Sequence, residues 1–171
     1  MIADLVDQVR GLSFDLRPAA LDSYGLEPAL VGHLQRFHET TGLRAKRDLN
    51  LKGMPRLPEA VESAAFRFIQ EGLSNAAKHA KATAVTVVAR ATDTALYLAV
   101  VDDGCGIAKL TSGARKGMGL DGMRERITSV RGSFALSSEP GRGVTVEARI
   151  PIGSARVSLI PKAGLPSAES E

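Results

Sequence analysis

The feature that most constrains this chain is an amphipathic segment at 58–80. At helical spacing, one face of this segment is small and apolar and can pack on a sheet; it carries Ala65, Ile69, Leu73, Ala76 and Ala80. The opposite face aligns Glu71, Asn75 and Lys78 within about two helical turns. A carboxylate and an amide spaced i, i+4 suit Mg²⁺, and the Lys78 ammonium suits a phosphate. A solvated polar face would show the same pattern, so this helix alone leaves both interpretations open.

Composition excludes several classes of protein. The net charge of +3 is too small to indicate a nucleic-acid surface, and no apolar run reaches the roughly 18 residues that a membrane span needs. The N-terminus lacks the pattern of a signal peptide. The single cysteine, Cys105, forms no internal disulfide and no cysteine metal cluster, which fits a reducing compartment. We therefore expect a cytoplasmic chain that binds no nucleic acid, with a membrane anchor elsewhere in a longer protein left open.

The remaining segments predict a two-layer fold. Helices are predicted at 2–16, 27–40 and 121–131, and strands at 44–51, 84–90, 95–101, 133–138 and 143–150. Gly42 is expected to end the second helix in a left-handed conformation. Hairpins combined with one-sided helices favour an α/β sandwich with a mixed, mostly antiparallel sheet packed on helices. Strands and helices do not alternate throughout, so a doubly wound parallel sheet is excluded.

Two glycine-rich motifs follow the amphipathic helix. Asp102-Asp103-Gly104-Cys105-Gly106 ends a buried strand, where a carboxylate can accept a hydrogen bond from an exocyclic amine and glycines let a flat ring approach the backbone. A simple turn after a strand has the same residues. The motif alone therefore does not establish a site.

The second motif, at 117–122, matches G-x-G-x-x-G before a helix. A dinucleotide-binding interpretation requires a strand directly before it, and a polar loop precedes it instead. A turn whose amides hold an anion at the start of the 121–131 helix remains. No P-loop sequence occurs, and the three histidines lack the spacing of a zinc site. His79 is expected to pack or to cap rather than to catalyse.

In this order and spacing, the motifs resemble the ATP-binding domain of sensor histidine kinases, in the superfamily that includes DNA gyrase, the ninety-kilodalton heat-shock chaperone and MutL. QEGLSNAAKHA (70–80) is similar to its Asn-bearing helix, DDGCGI (102–107) to its adenine-pocket motif and GMGLDGMRERI (117–127) to its second glycine box. GRGVTVEARIP (141–151) resembles its final strand. LRPAALDSYGLEPAL (16–30) and the GMRER sequence resemble the nitrate/nitrite-sensor branch. The resemblance implies a Bergerat-type ATP fold preceded by a dimerisation helix.

The resemblance also implies roles for individual residues. Asn75 would coordinate the Mg²⁺ that bridges the phosphates of ATP, and Glu71 would act through the water shell of the metal or assist the attacking group. Lys78 would contact phosphate, Asp102 would recognise the adenine amine, and Thr145 would contact the adenine edge through water. Gly117 and Gly119 would border a lid at about 105–118. The other implied positions of the nucleotide site are His79, Gly104, Gly106 and Leu120.

Two departures from the family pattern bear on these roles. The last motif usually has Thr directly after its glycine, but Val144 stands there, so one polar contact is lost or moves to Thr145. The phosphoacceptor segment, rich in His and acidic residues, is also missing. We therefore expect residues 1–25 to be part of a dimerisation bundle, 26–152 to be the catalytic domain and 153–171 to be a flexible tail. This chain alone is not expected to autophosphorylate.

The expected activity is that of a protein-histidine kinase catalytic domain, which transfers the γ-phosphoryl group of Mg-ATP to a histidine for relay to a response regulator receiver domain. Its partners would be that receiver, the phosphoacceptor helix of the longer kinase and, in the full-length protein, a second copy. One alternative is an ATP-hydrolysing conformational switch in which Glu71 is a general base for water. Another is a nucleotide-binding module without kinase activity.

Overall fold

The computed structural model describes residues 19–51, 53–54, 56–107 and 118–153. The predicted helix at 2–16, the loop after 107 and the tail after 153 lie outside these ranges. The helices are α1 (Ala19–Tyr24), α2 (Leu26–Thr41), α3 (Glu59–Asn75), which continues as a π-helical turn (Ala76–Ala80), and α4 (Met118–Ser129). The strands are β1 (Arg44–Asn50), β2 (Ala84–Ala91), β3 (Ala95–Asp102), β4 (Ser133–Ser138) and β5 (Val144–Pro151).

The strands form one five-stranded sheet in the order β1-β2-β3-β5-β4. β1 and β2 are parallel, and the other neighbouring pairs are antiparallel. The sheet is therefore mixed and mostly antiparallel, as the hairpin signals predict. Its central strands bury every second side chain, as at Val85, Val87 and Ala89, because successive side chains of a strand point to opposite faces.

The core lies between this sheet and the helices. The predicted apolar face of α3 is buried, with Ala65, Ile69 and Leu73 fully excluded from solvent. Phe68, also fully buried, meets Phe134 of β4 edge to face with a centroid distance of 6.2 Å. The two-layer α/β sandwich is confirmed, and it places the polar face of α3 beside the ends of β3 and β5.

Most element boundaries lie within a residue or two of the sequence prediction, and the larger differences are in two helices. The short helix α1 is not predicted, because six residues with only Leu21 buried are too few to show a period. Helix α4 begins at Met118, three residues earlier than expected, so Gly119 lies in its first turn. The left-handed end of α2 is confirmed, since Gly42 has φ 72° and its N–H donates to the His38 carbonyl at 2.9 Å.

Candidate functional site

A cleft of about 470 Å³ opens between the polar face of α3, the start of α4, the C-terminal end of β3 and the N-terminal end of β5. Its polar lining comes from α3, its π-helical turn and β3: Glu71, Asn75, Lys78, His79 and Asp102. Its apolar lining includes Val100 of β3 and Val144 and Val146 of β5. A cleft of this size and mixed lining accommodates a small-molecule ligand with one apolar and one charged end.

The helix side of the cleft changes geometry at Asn75. Residues up to Asn75 are α-helical, and Ala76–Ala80 form a π-helical turn. The Ala76 N–H donates to both the Gly72 and Leu73 carbonyls. A π turn turns the following side chains relative to an α-helix, and such turns are frequent at functional sites. Here it places the exposed Lys78 and His79 along the cleft.

Two side-chain oxygens of α3 that could bind a metal ion lie close to the start of α4. A Cβ built on Gly119 would lie 2.4 Å from Glu71 Oε1 and 3.6 Å from Asn75 Oδ1. Gly119 therefore permits a close approach of α4 to α3. The advantage of glycine comes from this contact and not from the backbone conformation, since the φ of Gly119 is not left-handed. In the described part of the chain, no three His, Cys, Asp or Glu side chains could hold a metal ion together. The pair fits Mg²⁺ only if phosphate oxygens and water supply the remaining ligands, which is how this cation is usually bound.

Asp102 is a nearly buried carboxylate at the end of β3, 8% exposed. Its Oδ1 accepts hydrogen bonds from the N–H groups of Gly104 at 2.9 Å and Val144 at 3.3 Å. Within the described ranges, Oδ2 accepts no hydrogen bond. A buried acceptor without a partner is costly, so the arrangement favours a ligand that brings a donor.

The neighbouring carboxylate, Asp103, has a structural role. It accepts hydrogen bonds from the Thr83 and Ala84 N–H groups at 2.7 and 2.9 Å and from the Thr83 hydroxyl at 2.6 Å. The Thr83 hydroxyl, followed by these backbone donors, lowers the pKa of Asp103 to about 2. Asp103 thus fixes the start of β2 against the end of β3 and does not line the cleft.

The turn that follows β3 is held by its neighbours. The Cys105 N–H donates to the Ala80 carbonyl at 2.7 Å, and the Gly141 N–H donates to the Cys105 carbonyl at 2.8 Å. A Cβ on Gly104 would lie 2.2 Å from the Ala80 carbonyl oxygen, and one on Gly106 would lie 2.2 Å from the Glu139 carbonyl oxygen. Both glycines therefore permit the backbone contacts that close this end of the cleft.

The structure brings most of the sequence-predicted site residues together. The cleft is lined by Glu71, Asn75, Lys78, His79, Asp102, Gly106, Gly119 and Leu120. Gly104 packs behind the cleft against the π turn, and Gly117 lies outside the described residues. Thr145 does not line the cleft: Val144 and Val146 do, and Thr145 pairs with the exposed Val101 on the other face of the sheet.

Several residues that line the cleft were not predicted as site residues, although Gly72, Val144 and Val146 lie inside the quoted motifs. The alternation of side chains along a strand predicts the apolar lining of Val100, Val144 and Val146 only once it is known which face of the sheet packs against the helices. Gly72 also lines the cleft, and a Cβ there would lie 2.8 Å from a Val100 methyl. A glycine inside a helix is a signal of close packing that sequence reasoning could have used.

No helix within the described residues is long and apolar enough to cross a membrane.

Comparison with known proteins connects this geometry to a family. The sequence model of the histidine kinase-, DNA gyrase B-, and HSP90-like ATPase family matches residues 60–154, more than half of the chain. The signal transduction histidine-protein kinase/phosphatase DegS of Brevibacillus brevis is 37% identical over 152 residues, which is 89% of this chain and 39% of DegS. The chain thus spans well under half the length of that relative.

Solved structures share the fold. The histidine kinase domain from the Erythrobacter litoralis EL346 blue-light activated histidine kinase matches with a TM-score of 0.58 and 20% identity, over 71% of this chain and 58% of that one. A second EL346 structure matches with a TM-score of 0.61 and 19% identity, over 77% of this chain and 43% of that one. At these identities the match establishes the fold alone.

Proposed function

We propose, from the premise that this chain belongs to the histidine kinase-, DNA gyrase B-, and HSP90-like ATPase family, that it is the ATP-binding catalytic part of a two-component sensor histidine kinase. The reaction is transfer of the γ-phosphoryl group of ATP to a histidine, followed by relay to a response regulator. The 37% identity to DegS over 89% of the chain supports this choice within the family. The single observation that carries nucleotide binding is the hydrogen bonding of Asp102. Its Oδ1 is held by two backbone N–H groups, and its Oδ2 has no partner in the described ranges.

The base of the nucleotide lies at the strand side of the cleft in this proposal. Asp102 Oδ2 accepts a hydrogen bond from the adenine amine, while Oδ1 stays bound to the Gly104 and Val144 N–H groups. The apolar side chains of Val100 and Val146 contact the ring faces. Because both Asp102 oxygens are then satisfied, burial of this carboxylate no longer costs an unpaired acceptor.

The phosphates lie along the helix side. Asn75 and, through water, Glu71 would hold Mg²⁺, which when bound neutralises phosphate charge and orients the triphosphate. Lys78 contacts a phosphate oxygen, His79 and Leu120 border the nucleotide, and Glu71 orients the attacking group. These residues position and neutralise, as phosphoryl transfer requires.

Calorimetric titration with a non-hydrolysable ATP analogue and Mg²⁺ tests the proposal. Asp102→Asn replaces an acceptor with an amide that can present a donor to the adenine amine, so affinity is expected to fall by roughly 10- to 100-fold. Asp103→Asn is the matched control, because Asp103 carries the same charge one residue away and does not line the cleft. Its affinity is expected to match the wild type. Absence of binding by the wild type would refute the proposal.

We further propose that the longer protein belongs to the nitrate/nitrite-sensor branch and acts as a homodimer. The 16–30 segment and the GMRER sequence support the branch, and residues 1–25 would supply part of the dimerisation bundle, with 26–152 as the catalytic domain. A kinase that includes a phosphoacceptor helix should gain acid-labile phosphate from labelled ATP and pass it to a receiver domain. Steady ATP hydrolysis without an acceptor would instead favour a conformational switch.

A further inference from the structure

The amide of Asn75 has a defined neighbour behind the cleft. Its Nδ2 donates to the thioether Sδ of Met123 at 3.9 Å. Met123 lies on the inner side of α4 and is fully buried, whereas Asn75 is half-buried and lines the cleft. The contact joins α3 to α4 across 48 positions of the chain, at the point where α3 becomes a π-helical turn.

The chemistry of the two groups makes this contact directional. A primary amide has a donor end and an acceptor end, whereas a thioether can only accept. Met123 therefore selects the amino end of Asn75. The carbonyl end of Asn75 is then on the side of Glu71. Both side-chain oxygens lie near the Cβ position of Gly119, which is 3.6 Å from Asn75 Oδ1 and 2.4 Å from Glu71 Oε1.

We propose that Met123 is a positioning residue, which keeps Asn75 Oδ1 turned toward the cation of bound Mg-ATP. The inference rests on the proposed function, since it assigns a role toward the metal of the same site. Methionine suits this position, because the side chain is apolar enough for full burial and still offers an acceptor. Leucine would fill similar volume but would leave both orientations of the amide available.

The test is Met123→Leu, with Ile127→Leu as the matched control. Ile127 lies one turn further along α4 and is equally buried, and among the described residues it forms no hydrogen bond with Asn75. Affinity for a non-hydrolysable ATP analogue is measured by calorimetry with Mg²⁺ and with a chelator. We expect Met123→Leu to lower affinity on the order of three-fold with Mg²⁺ and not at all without it, since one weak hydrogen bond orients the metal ligand. The control is expected to match the wild type in both conditions.

A double variant separates orientation of Asn75 from a general change in packing. Asn75→Ala removes the oriented group, so adding Met123→Leu to it should cause no further loss of Mg²⁺-dependent affinity. An unchanged Mg²⁺ effect in Met123→Leu would overturn the inference and leave the proposed function standing. Equal losses with and without Mg²⁺, or an added loss in the double variant, would also overturn it. No binding by the wild type would refute both proposals.

Discussion

The strand side of the cleft is held by backbone hydrogen bonds, whereas the acidic and basic groups of the helix side have few partners within the described residues. Asp102 Oδ1 is fixed by two N–H groups, and the turn after it is tied to the Ala80 carbonyl through Cys105. In contrast, neither Glu71 nor Lys78 forms a hydrogen bond or ion pair inside the described ranges. One side of the site is therefore set before a ligand arrives, whereas on the other side the charged groups of Glu71 and Lys78 have no partner among the described residues.

This difference matches what each side has to do in the proposed reaction. A fixed acceptor discriminates between bases, because a mismatched donor pattern leaves a buried group unpaired. Phosphates and their cation have to be bound, transferred and released, and side chains that have no fixed partner among the described residues permit this. Close backbone contacts should therefore dominate the effects of mutations on the strand side. Substitutions on the helix side should change chemistry more than folding.

The largest expected effect is that of Gly143→Ala on the strand side. Gly143 has φ +79°, and a Cβ there would lie 1.9 Å from the Asp102 carbonyl oxygen, a backbone atom that cannot move away easily. We expect a loss of more than about 3 kcal/mol in the free energy of unfolding, since a left-handed non-glycine residue alone costs roughly 1–2 kcal/mol. Urea denaturation measures it.

Gly141→Ala is the control for this prediction. Gly141 has nearly the same φ, +77°, but no described heavy atom lies within 4 Å of its Cβ position. The expected cost is the conformational penalty alone, about 1 kcal/mol. Equal costs for the two variants would show that the strand side is not held by close contact with Asp102.

A smaller effect is expected behind the helix side, where α3 is packed against α2. His33 of α2 meets Phe66 of α3 edge to face at 5.3 Å, and burial, followed by the charge of Arg36, lowers the pKa of His33 from 6.5 to about 4. The unfolded chain therefore binds more protons between these values, and stability falls as pH drops from about 6.5 to 4. We expect a loss of about 2 kcal/mol across this range.

Urea denaturation at several pH values, on the wild type and on His33→Leu, measures this loss. The variant should lack that pH dependence, while His38→Gln, an exposed histidine on the same helix, should retain it. Asp103 does not interfere, because its pKa moves from 3.8 to about 2, below this range. A His33→Leu variant with the wild-type pH profile would contradict the assignment.

Regular segments of this chain could be predicted from the sequence because their signals are local. The apolar face of α3 repeats at helical spacing, and Ala65, Ile69 and Leu73 are fully buried as expected. The hairpins and the left-handed Gly42 follow from short patterns of the same kind. The candidate cleft was predictable for a different reason: its polar groups lie at element ends, where the motifs mark them.

The parts that could not be predicted depend on contacts between distant segments. Whether Val144 or Thr145 faces the cleft depends on which face of the sheet the helices cover. The early start of α4 was missed because Gly119 indicated a turn. In the structure, Gly119 lies in the first helical turn and leaves room for the side chain of Glu71, which is distant in sequence. The π-helical turn after Asn75 was not predicted either, because the apolar spacing of an α-helix continues through Ala76 and Ala80.

The smallest effect on folding is expected from alanine substitutions in α4. Gly122 has no described heavy atom within 4 Å of its Cβ position, so Gly122→Ala should raise the free energy of unfolding by about 0.5–1 kcal/mol through helix propensity. Gly119→Ala should gain less, because its Cβ would lie 2.4 Å from Glu71 Oε1, the movable end of a side chain. Under the proposed function, displacing Glu71 should slow phosphoryl transfer by a protein that includes the phosphoacceptor helix, without weakening nucleotide binding in chelator. Equal transfer rates in Gly119→Ala and Gly122→Ala would contradict this prediction. They would show that the position of the Glu71 side chain does not matter for transfer, and that the helix side tolerates changes in side-chain placement as a solvated surface does.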